Sequence, residues 1–233
     1  MKKHIIRYAS FAFAILGMVS CSEEQETALR SQDAKSTPMT FLVSHPGQTT
    51  RATETSFEQN DRIGLYVADA KAQLEIGGNL VNNEALTYDG SKWAAARTLY
   101  WDKGTYTAYA YYPYLEDVSS ITDQPFSVVL DQSTAKSKEA MGGYEASDLL
   151  FASSKNISAS ASPIPLNFKH IMSKLKIRLI KGEDFEGDMP TTAQVTIHNT
   201  VPTATIDLQA GVATRYVKGT RKSIIAHQDD AIS

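Results

Sequence analysis

Side chains able to do covalent or metal chemistry are few in this chain of 233 residues, and they lie far apart. There are five histidines, at positions 4, 45, 170, 198 and 227, and no two are spaced i, i+2 or i, i+4. Paired metal ligands on one strand or one helix face need those spacings, so sequence assembles no metal site. Each histidine beyond the leader reads as a surface or strand-end residue. Gly-x-Ser-x-Gly and dinucleotide glycine patterns do not occur, and Lys92 follows Gly90 and Ser91 without the glycine-rich loop that cradles phosphate. Asp229 and Asp230 read as solvated charge. Nothing here argues for an enzyme, and nothing calls for a cofactor.

The one cysteine, Cys21, belongs to another chemistry. It closes a cationic opening, Met1 to Arg7, and an apolar run from Ala9 to Val19. As a helix that run would rise only ~16 Å, about half of a bilayer's hydrocarbon thickness, so it reads as a cleaved export signal rather than a span. Met18-Val19-Ser20-Cys21 resembles the lipobox of bacterial lipoproteins, with methionine where leucine is commoner. That resemblance implies a diacylglyceryl group on the Cys21 sulfur and an acyl chain on its freed amine. At ~0.8 kcal/mol per buried methylene, two or three chains anchor a protein to lipid in effect permanently. Residues 1–20 are therefore expected to be a lipoprotein signal peptide and 21–37 an acidic, polar tether. The run Ser22-Glu-Glu-Gln-Glu26 resembles the surface-export tag of Bacteroidetes lipoproteins, and it equally has the composition of a plain solvated linker.

The 23 Lys and Arg against 26 Asp and Glu give a net charge of −3, and the basic leader accounts for part of the positive total. No block of Lys and Arg is interleaved with aromatic residues, so the footprint of a nucleic-acid binder is missing. With no second cysteine the chain forms no internal disulfide, and stability must come from burial and backbone pairing.

Residues beyond the tether alternate with a period of two. Met39, Phe41 and Val43 share one face of a first expected strand, and a polar loop with Pro46-Gly47 follows it. Residues 61–67 read as a compact strand, and Leu86 to Trp93 as a hairpin turning at Asp89-Gly90. In the tyrosine-rich passage 105–112, Tyr106, Ala108, Ala110 and Tyr112 fall on one face and Tyr109 and Tyr111 on the other, with both faces expected to be partly buried. Phe126 to Leu130 continues the series, and 131–148 reads as a polar loop. The Ser/Ala-rich segment 152–163 is the expected domain boundary. After it, Leu175, Ile177 and Leu179 alternate with Lys174, Lys176 and Arg178 within an expected half-buried strand over 168–180. Strands are also expected over 192–198, 203–208 and 223–226. The expected fold is all-β: two consecutive β-sandwich domains, 38–163 and 164–233, the second too short to close a sandwich and so truncated or completed by something else.

Several passages together, namely the lipobox, Gln48-Thr-Thr-Arg-Ala52, Asn60-Asp-Arg-Ile-Gly-Leu-Tyr-Val67, Tyr109-Ala-Tyr-Tyr-Pro-Tyr114 and Phe168-Lys-His-Ile-Met-Ser-Lys-Leu-Lys-Ile177, resemble the fimbrillin family of Bacteroides and related bacteria. The resemblance implies transthyretin-like sandwich domains and a surface-exposed outer-membrane lipoprotein that enters a type V pilus, or fimbrium. It also implies assembly by strand exchange, in which a trypsin-like or Arg-specific protease cuts the loop after the first strand and a neighbouring subunit's strand replaces it. Arg51, followed by small Ala52, matches the cleavage position. Arg62 begins a strand, and a cut at Arg30 would free the protein without opening a groove. Met39, Phe41 and Val43 would then be the core residues of the displaced strand. Implied partners are other fimbrial subunits, outer-membrane lipid, the protease, and host or bacterial surface ligands. Family members usually continue for several more strands, which supply the donor segment. A second reading is a surface glycan-binding lipoprotein of a polysaccharide-capture system, with Tyr109, Tyr111 or Trp101 stacking on sugar rings.

Overall fold

Two strands that are apolar on both faces set the architecture. β2 (Arg62–Asp69) and β5 (Thr105–Tyr112) pair antiparallel, and nearly every side chain in them is buried. A strand buried on one face alternates, whereas one buried on both reads as a continuous apolar run, as Ile63 to Ala68 does. The chain is seen in a computed structural model that describes residues 37–46, 56–137 and 140–228. Cys21 and Arg51 lie outside the described residues.

Around this pair, β3 (Val81–Tyr88), β4 (Trp93–Ala95), β7 (Leu150–Ser158) and β9 (Lys169–His170) complete a six-stranded antiparallel sheet in the order β4-β3-β2-β5-β7-β9. The β3–β4 hairpin turns where expected: Asp89 Oδ1 accepts the backbone N–H groups of Ser91 (2.9 Å) and Lys92 (2.8 Å), and Gly90 adopts φ +97°.

The period of two sorts the side chains. Ile63, Leu65, Val67, Ala108, Ala110 and Leu150 pack on one face, under Ile164 and Leu166 of β8 (Ile164–Asn167). Tyr66, Tyr109, Tyr111 and Phe151 pack on the other, against Phe126 of β6 (Gln124–Ser127) and Ile206 of β11 (Thr203–Asp207). β6 and β11 belong to a three-stranded sheet, β12-β11-β6, with β12 at Val212–Arg215. β10 (Thr196–Thr200) and β13 (Lys222–Ile225) form a separate antiparallel pair, joined to the rest where Ile225 bonds Leu130 and Gln132. The protein is therefore all-β, with a large antiparallel sheet sandwiched between smaller ones.

Two expectations are corrected. The Ser/Ala-rich segment 152–163, expected as a domain boundary, is part of β7 up to residue 158, where Ser153 stands opposite bulky Tyr109. The strand over 168–180 is reduced to Lys169–His170. Beyond it, Leu175, Ile177 and Leu179 are exposed, because β7 offers β9 only Leu150 and Phe151 as partners. An alternating pattern states a preference for a half-buried surface but does not supply the surface.

Strand pairing also crosses residue 164. β8 pairs with β1 (Phe41–Ser44), β9 with β7 and β11 with β6, and residues 36–233 form one compact unit.

Candidate functional site

The seat of β1 is the candidate site. β1 and β8 form the one parallel strand pair among the described residues, with Phe41 opposite Ile164, Leu42 opposite Pro165, Val43 opposite Leu166 and Ser44 opposite Asn167. Ile164 N–H donates to the Thr40 carbonyl (2.8 Å), Phe168 N–H to the Ser44 carbonyl (3.1 Å), and Ser44 Oγ to Asn167 Oδ1 (2.8 Å). On its N-terminal side the chain forms an antiparallel bridge to a second segment. Met39 N–H donates to the Leu99 carbonyl (2.8 Å) and Trp101 N–H to the Thr37 carbonyl (2.9 Å). Residues 37–44 are thus stitched to two segments that lie 60 and more positions away in sequence.

All three residues expected to face the core do so. Met39 is buried, and Phe41 and Val43 are partly buried against the same cluster, which includes Leu99, Trp101, Ile164, Leu166 and Phe168. Leu42, between them, is 64% exposed. This strand buries one face only, and displays the apolar Leu42 on the other.

Directly after β1, the imidazole of His45 stands edge-on to Phe57, with ring centroids 4.8 Å apart. Phe57 in turn is edge-on to Trp93 (5.0 Å), Tyr112 (5.5 Å) and Phe168 (5.7 Å). The residues on either side of the segment 47–55 therefore meet, with His45 before it and Phe57 after it in an aromatic nest. His45 also lies 6.1 Å from the ring of His170, whose Nδ1 is 2.8 Å from Asp148 Oδ1. Burial first, and His170 second, hold His45 below the ordinary histidine range, while Asp148 and Asp61 pull the other way.

The residues that would stack on sugar are not available for it. Tyr109 (8% exposed), Tyr111 (1%) and Trp101 (4%) bury their rings in the two cores. Burial also pushes the Tyr66 phenol up to about 12. Among the described residues no group of three His, Cys, Asp or Glu side chains could hold a metal ion, and no helix is long and apolar enough to cross a membrane.

The profile of the fimbrillin-like family matches residues 50–231. The chain belongs to the fimbrillin-like family. It is 26% identical over 196 residues to a curated Bacteroides ovatus relative named for a fimbrium tip subunit, Fim1C, a match covering 77% of this chain and 36% of that protein. It thus spans about a third of the length of that relative. Among solved structures it resembles a Bacteroides uniformis protein classed with cell-adhesion proteins (TM-score 0.60, 22% identity, 83% of this chain and 71% of that one). A Bacteroides ovatus protein classed in the same way is also similar (TM-score 0.56, 17% identity, 83% and 73%). These two likenesses speak to the fold alone.

In this fimbrillin-like chain, sequence reasoning found the inward face of β1 but missed the strand it pairs with. Ile164, Leu166 and Phe168 alternate with Pro165 and Asn167, the same period of two as in β1. The expected boundary at 163 hid this alternation, in which Pro165 stands opposite exposed Leu42, on the side where neither strand buries its side chain.

Proposed function

We propose that this chain is a cell-surface fimbrial subunit, anchored by lipid on Cys21, that assembles when a trypsin-like or Arg-specific protease cuts after Arg51 and β1 gives way to a strand from a neighbouring subunit. The carrying observation is the seating of β1: one apolar face, backbone bonds on both sides, and a single covalent link of residues 47–55 to the rest of the fold at Phe57. A fully buried side chain of this size contributes ~1.5–3 kcal/mol, which buried Met39 approaches and partly buried Phe41 and Val43 each reach only in part, and together the three hold the strand against spontaneous loss.

Cutting the link changes that balance by mass action. A short intramolecular link keeps a displaced strand near its seat at an effective concentration of order millimolar, and cleavage replaces that with the bulk concentration. The emptied seat then exposes Ile164, Leu166 and Phe168, together with the carbonyl of Leu99 and the N–H groups of Ile164 and Phe168 that β1 had satisfied. A foreign strand of the same alternation would restore every one of these by β-augmentation.

Limited trypsin digestion of the wild type and Arg51→Ala tests the reading. Cleaved wild type is expected to lose residues 37–46 and to form ladders that collapse only on boiling, whereas Arg51→Ala keeps its strand and stays monomeric. A strand that remains seated after cleavage at Arg51 sinks the assembly step. Labelled palmitate that enters wild type and Cys21→Ser equally sinks the anchor.

A further inference from the structure

The segment 174–180, Lys-Leu-Lys-Ile-Arg-Leu-Ile, leaves the edge of the large sheet after β9 and, among the described residues, pairs with no strand. Its apolar side chains are nonetheless displayed: Leu175 is 68% exposed, Ile177 45% and Leu179 41%. Lys176 and Arg178, which alternate with them, are exposed and make no ion pair among the described residues, while Lys174 lies 4.8 Å over the ring of Tyr144. Alternation of apolar with cationic residues from Lys174 to Leu179, broken only by exposed Ile180, is the pattern of a strand that buries one face and meets charge on the other.

We infer that residues 174–180 form a second docking edge, separate from the β1 seat, for an extended partner segment whose residues alternate apolar with Asp or Glu. Charge selects this occupant. Two copies of the segment paired antiparallel about Ile177 would set Lys176 opposite Arg178 twice, and an in-register parallel pair would set like opposite like at every cationic position. Like charges directly opposite are destabilising, so a second copy of the same edge is a poor partner. An acidic alternating strand reverses the sign at each of those positions while covering Leu175, Ile177 and Leu179. The main-chain N–H and C=O groups of 174–180 provide the ladder, and the side chains provide the selection.

The test uses the uncut chain, so its outcome is independent of strand release at β1. A fluorescein-labelled peptide alternating valine with glutamate is titrated by anisotropy against wild type, in parallel with a peptide alternating valine with lysine, and amide hydrogen exchange is followed over 174–180. The glutamate peptide is expected to bind about tenfold or more tightly than the lysine peptide, because three unfavourable cross-strand charge pairs become favourable ones. It should also slow exchange across 174–180. The double change Lys176→Glu with Arg178→Glu, at exposed positions that leave the core untouched, should reverse the preference. Equal binding of the two peptides, binding without protection of 174–180, or a dimer that Ile177→Pro dissolves would each overturn the inference.

Discussion

The phenol ring of Tyr111 lies across Gly64, its directly opposed neighbour on the adjoining strand, so closely that a β-carbon on Gly64 would come within 2.3 Å of the ring. The tyrosine hydroxyl continues past the glycine to donate to Asn83 Oδ1, and the Asn83 amide donates to the Leu115 carbonyl (2.9 Å). Glycine is required here for space. Gly64→Ala is expected to cost about 3 kcal/mol, the upper range for forcing atoms into a packed core, read as a lowered urea midpoint at unchanged slope. Tyr111→Phe removes only the hydroxyl and should cost about 1–2 kcal/mol, because Asn83 Oδ1 loses its donor.

A buried carboxylate gives a second prediction. Asp61, 6% exposed at its side chain, accepts the Glu58 backbone N–H (2.8 Å) and the Lys136 ammonium (3.0 Å), while Lys136 also reaches Glu58 at 2.9 Å. Lys136→Met leaves Asp61 without its counter-charge. The expected loss is about 2 kcal/mol, less than for a fully enclosed pair because Lys136 keeps 27% of its side chain in water. The double variant with Asp61→Asn should recover part of it, which thermal unfolding of the four proteins of the cycle will measure.

Acidification should loosen the exit of β1. His45 takes up a proton less readily in the folded protein than its ordinary value of 6.5 allows, so its contribution is present in full above that value and is lost as pH falls through it toward the lower, folded one. The groups facing it are His170, which opposes the proton, and Asp148 and Asp61, which partly offset that opposition. The protection of residues 41–44 against hydrogen exchange, taken relative to the free-chain rate at each pH, is expected to fall in wild type as pH drops below the ordinary histidine value of 6.5. His45→Gln should flatten that dependence, and an unchanged slope would remove His45 as its source.

The two faces of β1 should answer differently to mutation. Val43→Thr and Phe41→Thr place a hydroxyl against Leu166 and Ile164, and each should weaken the seating of the strand by about 1–2 kcal/mol. Leu42→Lys, on the exposed side, should change it by less than about 0.5 kcal/mol. Dissociation of a synthetic 37–46 peptide from the trypsin-cleaved protein gives all three values. Equal effects on both faces would contradict the one-sided packing.

Much of this was readable from alternation alone. In β5 the division of Tyr106, Ala108, Ala110 and Tyr112 from Tyr109 and Tyr111 is the division between the two cores, because a pleated strand sends successive side chains to opposite faces. Met39, Phe41 and Val43 were legible for the same reason. What alternation does not carry is the identity of the neighbour. Ile164 to Phe168 obey the same period, but that they serve as the parallel partner of a strand at the other end of the chain depends on topology, to which local pattern is blind. Residues 174–180 show the converse, a strand pattern without a partner strand. The Ser/Ala content of 152–158 misled because small residues are needed where Tyr109 and its neighbours fill the space opposite.

The parallel pairing of β1 with β8 also fixes an order of events. Ser44 and Asn167, bonded in the finished fold, are 123 positions apart. At the ~5–20 residues per second of translation, the first of them leaves the ribosome about 6 to 25 seconds before the second. Through that interval the nascent chain carries an apolar strand that has at most the Leu99–Trp101 half of its seat. Closing so long a loop is slow, which makes this strand a late arrival in folding and a natural client for a chaperone that binds extended apolar segments.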